Sequence, residues 1–420
     1  VFNGFDDPHF DKETGKIIKG SNPELDYFYP SDTLVTAPEI LFFWVARMII
    51  AGYEYTGEKP FKNVYLTGIV RDKQRRKMSK SLGNSPDPLD LIKEYGADGV
   101  RTGMLFSSPA GNDLLFDLKL CDQGKKFSIK IWNAFRLVQS LNTVEGSNPD
   151  NELTIEWFNN RFNQVLAEVE DHFSKFRISD ALMSIYKLVW GDLCSTYLEA
   201  IKPAYQQPID QATHDKTLVI FERVMKLIHP FMPFISEELW HEIKERSTDQ
   251  SLIVSSWPKG GEYDPQLINK FTSATELITA IRNARNAKGI SPKETVDLLI
   301  KCDDKSNYDK YKGLIIKMAN LSSLAYTEES VPKSISFMSG TDKCFIPIGD
   351  TIEIDVAEER ENLEKELEYN KGFLRAVMKK LENERFVQNA PAKVIETERQ
   401  KQADAEAKIE AIESSLKNLG

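Results

Sequence analysis

Residues 32–70 constrain most strongly what this chain can fold into. Asp32–Thr36 (Asp-Thr-Leu-Val-Thr) is a short run of β type. Pro38 and Glu39 then open a helix through Ile50, because proline suits a first turn and an acid there favours the helix dipole. Gly52 is expected to end that helix. Asn63–Val70 reads as a buried strand. Strand, helix and strand make a βαβ unit, so the two strands are expected to be parallel. In open α/β sheets, ligands bind beyond the carboxyl ends of the strands. Beyond the second strand lies Lys77-Met78-Ser79-Lys80-Ser81, followed by Leu82-Gly83-Asn84. Arg71, Lys73, Arg75, Arg76, Lys77 and Lys80 crowd residues 71–80, with Asp72 the only acid. Such a loop can fold over a polyphosphate. Ammonium groups meet the anionic oxygens, hydroxyls and backbone N–H groups fill in, and Gly83 supplies a turn that other residues resist. A solvated lysine loop is the alternative; the interleaved Met78 and Ser79, and the apolar strand before them, favour the phosphate reading.

At 420 residues the chain should hold more than one core. Hydrophobic content of 41% with 28% charge reads as soluble and globular. No apolar run approaches the roughly 18 residues of a membrane span, so no membrane partner is expected. Cys121, Cys194, Cys302 and Cys344 are far apart and form no C-x-x-C pair. That speaks against zinc or a disulfide framework and fits a reducing, cytoplasmic setting. With a net charge of −10, RNA could be bound only through localised basic surfaces. Residues 1–30 carry turn residues without a period and read as a connecting segment, so the chain is expected to be the later part of something longer.

From about Cys121 to Glu245 the pattern is helical. Lys125–Leu141, Glu156–Ser174, Ile178–Ile201 and Asp215–Leu227 read as helices, with Ser147–Asp150 a loop. His229–Phe234 is a bent connector into a helix through Glu245. Residues 266–355 combine a helix (Leu267–Ala287) with short strands, a small α/β unit. After it, Val356, Arg360, Leu363, Leu367, Asn370, Leu374, Val377 and Leu381 step by three and four. Ile395, Glu398, Gln402, Ala405, Ile409, Ile412, Leu416 and Leu419 do so again, with 383–392 between the two runs. This is an antiparallel coiled-coil hairpin with arms of roughly 40 Å. It has little core of its own and is expected to project from the body.

The lysine loop, the preceding Gly68-Ile69-Val70-Arg71-Asp72, the segment Leu41-Phe42-Phe43-Trp44-Val45-Ala46-Arg47-Met48, and Tyr95-Gly96-Ala97-Asp98 with Arg101 resemble the second half of a class I aminoacyl-tRNA synthetase catalytic domain. Ile131-Trp132-Asn133-Ala134 with Arg136, and Pro230–Trp240, resemble that family's anticodon-binding bundle. Asn383–Pro391 is similar to the turn of the valyl enzymes' C-terminal arm and favours them over isoleucyl or leucyl enzymes. The likeness covers nearly the whole chain. Two departures matter. The His-Gly-His type motif of the family is absent, and Ala37-Pro38-Glu39 stands where many relatives have Gly-x-Asp.

The resemblance implies an α/β plus mostly α protein. Residues 1–107 would be the C-terminal half of a Rossmann-like nucleotide fold, and 108–265 a stem-contact region and anticodon-binding α-helical bundle. Residues 266–355 would be a small α/β linking domain, and 356–420 a coiled-coil tRNA-binding arm. It implies ATP with Mg2+, L-valine and tRNA(Val) as substrates, no zinc, and a monomer. Lys77 and Lys80 would be catalytic, stabilising charge on the leaving pyrophosphate. Met78, Ser79, Val70, Gly68 and Glu39 would join them around ATP, with Val70 at the adenine and Glu39 at the ribose. Trp44 would line the valine pocket, or else be a core aromatic. Trp132, Asn133 and Arg136 would meet the anticodon, or be bundle core. Arg375 and Arg385 would meet tRNA phosphates from the arm, or be a solvated face. Two other readings stand beside this one: an RNA-binding fragment without catalysis, and a helical scaffold whose hairpin pairs with another protein.

Overall fold

A computed structural model describes residues 11, 13–18, 20, 22–108, 111–347, 356–383, 386–387 and 392–418. The chain is helix-rich with small sheets. It divides into two compact units, one from segments 1–146, 161–198 and 205–263, the other from 147–160, 199–204 and 264–420.

In the first unit, α1 (Pro23–Phe28) leads to β1 (Ser31–Thr36), α2 (Ala46–Tyr55) and β2 (Phe61–Leu66). β1 and β2 are parallel as expected, with Thr33 opposite Asn63 and Thr36 opposite Leu66. Three features differ from the sequence reading. First, β2 ends at Leu66, and Val70 opens a separate strand, β3 (Val70–Arg71), parallel to β4 (Leu114–Leu115). Second, β2 is buried only at Phe61. A parallel sheet needs cover on both faces, and here Val35, Val64 and Leu66 stand exposed. Third, the helix after Pro38 begins as a 3-10 turn (Pro38–Ile40) and a π turn (Leu41–Val45), and it runs past Gly52. Gly52 is needed for a close approach instead. A Cβ there would lie 2.6 Å from the Tyr29 hydroxyl and 2.9 Å from the Glu58 carbonyl oxygen.

α3 (Pro88–Tyr95) starts where Asp87 accepts the Leu89 N–H and stops at Gly96, whose φ is 76°. α4 (Ala97–Phe106) follows and lies directly on α5 (Leu118–Gln139). Glycines allow the contact: a Cβ on Gly103 would sit 2.6 Å from Cys121 N, and one on Gly124 would sit 2.5 Å from Gly99 O. β5 (Thr143–Val144), α6 (Pro149–Ser174), α7 (Ile178–Lys187), a π-helical stretch Leu188–Tyr197, α8 (Leu198–Ile201), β6 (Ile209–Asp210), α9 (Gln211–Ile228) and α10 (Pro233–Ile243) complete the helical region. α6 begins at Pro149, inside the expected loop, because Asn148 accepts the N–H of Asp150 at 3.0 Å. Phe127, Ile131, Phe135 and Val138 of α5 share a core with Phe221 and Val224 of α9. Their spacing by three and four is the helical apolar stripe read from the sequence.

In the second unit, α11 (Pro265–Ala287) covers a four-stranded sheet ordered β8-β7-β10-β9. The strands are β7 (Val296–Lys301), β8 (Leu321–Tyr326), β9 (Ser334–Ser339) and β10 (Asp342–Pro347), with α12 (Ser306–Asp309) and α13 (Lys312–Ala319) between the first two. Trp157 of α6 stacks on Phe271 of α11 at 4.0 Å between ring centroids. α14 (Val356–Leu381) and α15 (Ala392–Asn418) pair as the hairpin. The buried positions Asn370, Val377, Glu398, Ala405 and Ile412 all lie on the expected seam. Glu398 is tolerated there because Lys401 (2.6 Å) and Lys380 (3.4 Å) pair with it. The hairpin does not project freely along its whole length, because α15 touches β9. Glu276 of α11 is held above the usual carboxylate range by burial and by Asp404 of α15.

Candidate active site

The lysine stretch folds as a small hairpin closed by a short helical turn. β3 runs out, the chain reverses through Asp72–Arg76, and it returns with the Met78 N–H on the Val70 carbonyl at 3.0 Å. Arg75 takes the left-handed conformation at the reversal, with φ of 63°. Asp72 organises this turn. Its Oδ1 accepts the backbone N–H of Gln74 (3.0 Å) and Arg76 (2.9 Å). Its Oδ2 accepts from Arg76 Nε (2.8 Å) and Asn84 Nδ2 (3.0 Å). Donation from Asn84, then from Arg76, holds the Asp72 carboxyl down at about 2. Asn84 fastens the far side, accepting Ser79 N–H at 2.9 Å and donating to the Lys77 carbonyl at 3.3 Å. Between these anchors Ser79 caps the 3-10 turn Lys80–Leu82, and Gly83 ends it at φ 64°. The glycine role read from the sequence is thus the observed one.

The two lysines differ. Lys77 Nζ reaches both carboxylate oxygens of Glu39, at 2.7 and 2.9 Å, just beyond the carboxyl end of β1. Lys80 is exposed and, among the described residues, makes no ion pair. Behind the loop Arg71 is bonded to Asp113, whose other oxygen accepts Ile69 N–H at 3.1 Å. Gly68 packs against the Asn112–Asp113 backbone so closely that a Cβ would lie 2.0 Å from Asn112 O. The geometry therefore joins Glu39 to Lys77 and Val70 to Met78 by direct bonds, links Ser79 to Lys77 only through Asn84, and gives Gly68 a close-approach role. Trp44 stands 58% exposed on the π turn, so it is not a core aromatic in this chain. Asp72, Asn84 and Asp113 were missed as site-building residues. The signal for Asp72 was present: aspartate two and four residues before N–H groups in a basic turn is an Asx-turn pattern.

The Asp72 bonds give a test. A folded carboxyl held low contributes loop order that is complete above the ordinary aspartate range, near about 4, and is lost as pH falls through about 2. Loop order should therefore be flat from neutral pH to about 5. The Asp72→Asn variant should be cut by trypsin at Arg75–Arg76 several times faster than the parent. Equal cleavage rates would contradict the anchoring role.

On the helical region, Asn133 and Arg136 face solvent on α5 and Trp132 is half-buried beside them. On the hairpin, Lys371 braces the two helices through Glu413 at 2.7 Å. Arg375 pairs with Glu368 at 3.1 Å, and both side chains are largely exposed. Such a pair is weak and leaves the guanidinium available to an anion. Arg385 lies outside the described residues. Among the described residues no group of three His, Cys, Asp or Glu side chains could hold a metal ion, and no helix is long and apolar enough to cross a membrane.

A phosphate-type lysine loop after a βαβ unit, followed by a helical bundle, fits the family described as tRNA synthetases class I (I, L, M and V), which matches residues 14–117. Residues 156–300 match the anticodon-binding domain of tRNA ligase, and 355–420 the valyl tRNA synthetase tRNA binding arm. Curated relatives named valine–tRNA ligase are similar over nearly all of the chain. That of Christiangramia forsetii is 54% identical over 405 residues, 96% of this chain and 46% of the relative. That of Phocaeicola vulgatus is 50% identical over 420 residues, 100% of this chain and 46% of the relative. The chain belongs to the valine–tRNA ligase family of class I synthetases. It spans about half the length of these relatives.

Proposed function

We propose that the protein carrying this chain attaches L-valine to tRNA(Val) through a valyl-adenylate formed from ATP. This chain would supply the lysine-loop half of the site and the tRNA-binding domains. The observation that supports this most is the loop itself, a hairpin fixed by Asp72 and Asn84 that leaves Lys80 exposed and unpaired among the described residues. A carboxylate oxygen of valine attacks the α-phosphorus of MgATP, and the bond to the β-phosphate oxygen breaks. Pyrophosphate leaves carrying the charge that Lys80 and Lys77 meet. A hydroxyl at the 3′ end of tRNA then attacks the valyl carbonyl and AMP departs. Neither step needs a covalent enzyme intermediate, so positioning and charge neutralisation dominate.

Glu39 would turn to the ribose hydroxyls once Lys77 engages phosphate. Val70, Gly68, Met78 and Ser79 form the wall beneath ATP, and Trp44 contributes a flat apolar side to the valine pocket. Trp132, Asn133 and Arg136 would meet unstacked anticodon bases, and Arg375 and Arg385 would meet phosphates. The assigned regions are 1–107 for the nucleotide fold, 108–265 for the stem-contact region and bundle, 266–355 for the linking domain and 356–420 for the arm. The protein is read as a cytoplasmic monomer that uses no zinc. The test is charging of tRNA(Val) by the complete protein. Valine should be esterified at least about 100-fold faster than isoleucine, whose extra methylene the pocket must exclude. Preferential charging with isoleucine or leucine would overturn the reading.

A further inference from the structure

Asp98 of α4 is 6% exposed, yet among the described residues it makes no ion pair. Its carboxylate accepts the backbone N–H groups of Phe234 (3.3 Å) and Ile235 (2.7 Å) at the start of α10. One turn further along α4, Arg101 donates Nε to the Phe231 carbonyl (3.3 Å) and Nη2 to the Pro230 carbonyl (3.1 Å). A single helix thus grips both sides of the Pro230–Pro233 bend, an acid on its donors and a guanidinium on its acceptors. The bend is also tied internally, by His229 Nδ1 and Ser236 Oγ at 2.7 Å. Burying a carboxylate is costly unless donors meet it, and a contact needed only for packing would use an apolar side chain. Burial raises the Asp98 carboxyl and lowers the His229 imidazole, consistent with a dry junction.

The grip lies on a continuous path. α4 is separated by Gly96 alone from α3, which follows the lysine loop. Lys125 of α5 holds the end of α3 through the Glu94 carbonyl at 2.8 Å. α4 and α5 touch through Gly99, Gly103 and Gly124, and α5 carries Trp132, Asn133 and Arg136 about 12 to 18 Å beyond Gly124.

Resting on the ligase reading above, we infer that Asp98 and Arg101 are positioning residues. They fix α9 and α10 against the lysine-loop segment, so that RNA held along the helices presents its acceptor end to the loop. The test uses Arg101→Ala and Asp98→Asn in the complete enzyme, with Arg101→Lys as the conservative variant. Valine-dependent pyrophosphate exchange should stay within about twofold of the parent, while kcat for tRNA(Val) charging falls about tenfold at little-changed KM for tRNA. Arg101→Lys should recover part of the loss, because an ammonium still reaches one of the two carbonyls. Unchanged charging in both variants would overturn the inference. So would an equal fall in exchange and charging, which marks general structural damage. Absence of valine-dependent exchange in the parent would instead overturn the ligase reading, and this role with it.

Discussion

Replacing Lys80 by alanine lowers valine-dependent pyrophosphate exchange by about 10²–10³-fold while leaving valine affinity within about twofold. On the proposed reading the ammonium meets charge that exists only as pyrophosphate departs, so its loss should fall on the transition state and not on valine binding. Lys80 is the better target of the two lysines because it has no competing carboxylate among the described residues. Lys77 already contacts Glu39 at 2.7 Å, so on the proposed reading its removal also leaves that carboxylate without its cation where the nucleotide would bind. Lys77→Ala should therefore raise KM for ATP as well as lower turnover. Stopped-flow adenylation with equilibrium valine binding separates the two effects. A Lys80→Ala enzyme that activates valine at the parental rate would contradict the role of the loop.

Removing residues 357–420 weakens tRNA(Val) binding by about tenfold to hundredfold and flattens its salt dependence, with valine activation unchanged. Arg375 and Lys379 are exposed on the hairpin, whereas Lys371 is engaged with Glu413 across it. On the proposed reading, phosphate contacts from such a face are lost together when the arm goes. Deletion also uncovers the surface of β9 that α15 now touches. Reversing charge at Arg375 and Lys379 in the intact chain is therefore the cleaner companion, and it should lower affinity in the same direction. Unaltered tRNA affinity in both proteins would remove the arm from tRNA recognition.

What was legible in the sequence was local. The hairpin seam could be read because Asn370, Val377, Glu398, Ala405 and Ile412 repeat at helical spacing. The start and stop of α3 followed from Asp87, Pro88 and Gly96, and Gly83 sits in the conformation that its neighbours predict. What was illegible depended on distant partners. Gly52 looks like a helix stop, but it is small because Tyr29 and Glu58 lie against it. Asn63–Leu66 is apolar enough to be buried, yet a two-stranded sheet leaves it uncovered. Asp98 meets Phe234 across 136 residues, a separation that no periodicity encodes. Within the loop, the lysines announced themselves by charge. Asn84 did not, because its work is to bond backbone and Asp72.

Valine-dependent exchange of pyrophosphate into ATP, measured with the complete protein across the amino acids, tests the central claim most directly. Exchange should be fastest with valine. Threonine, nearly the same shape, should support it about 100-fold more weakly, because an apolar pocket rejects a hydroxyl only modestly. No exchange with valine, or exchange led by leucine or isoleucine, would contradict the account.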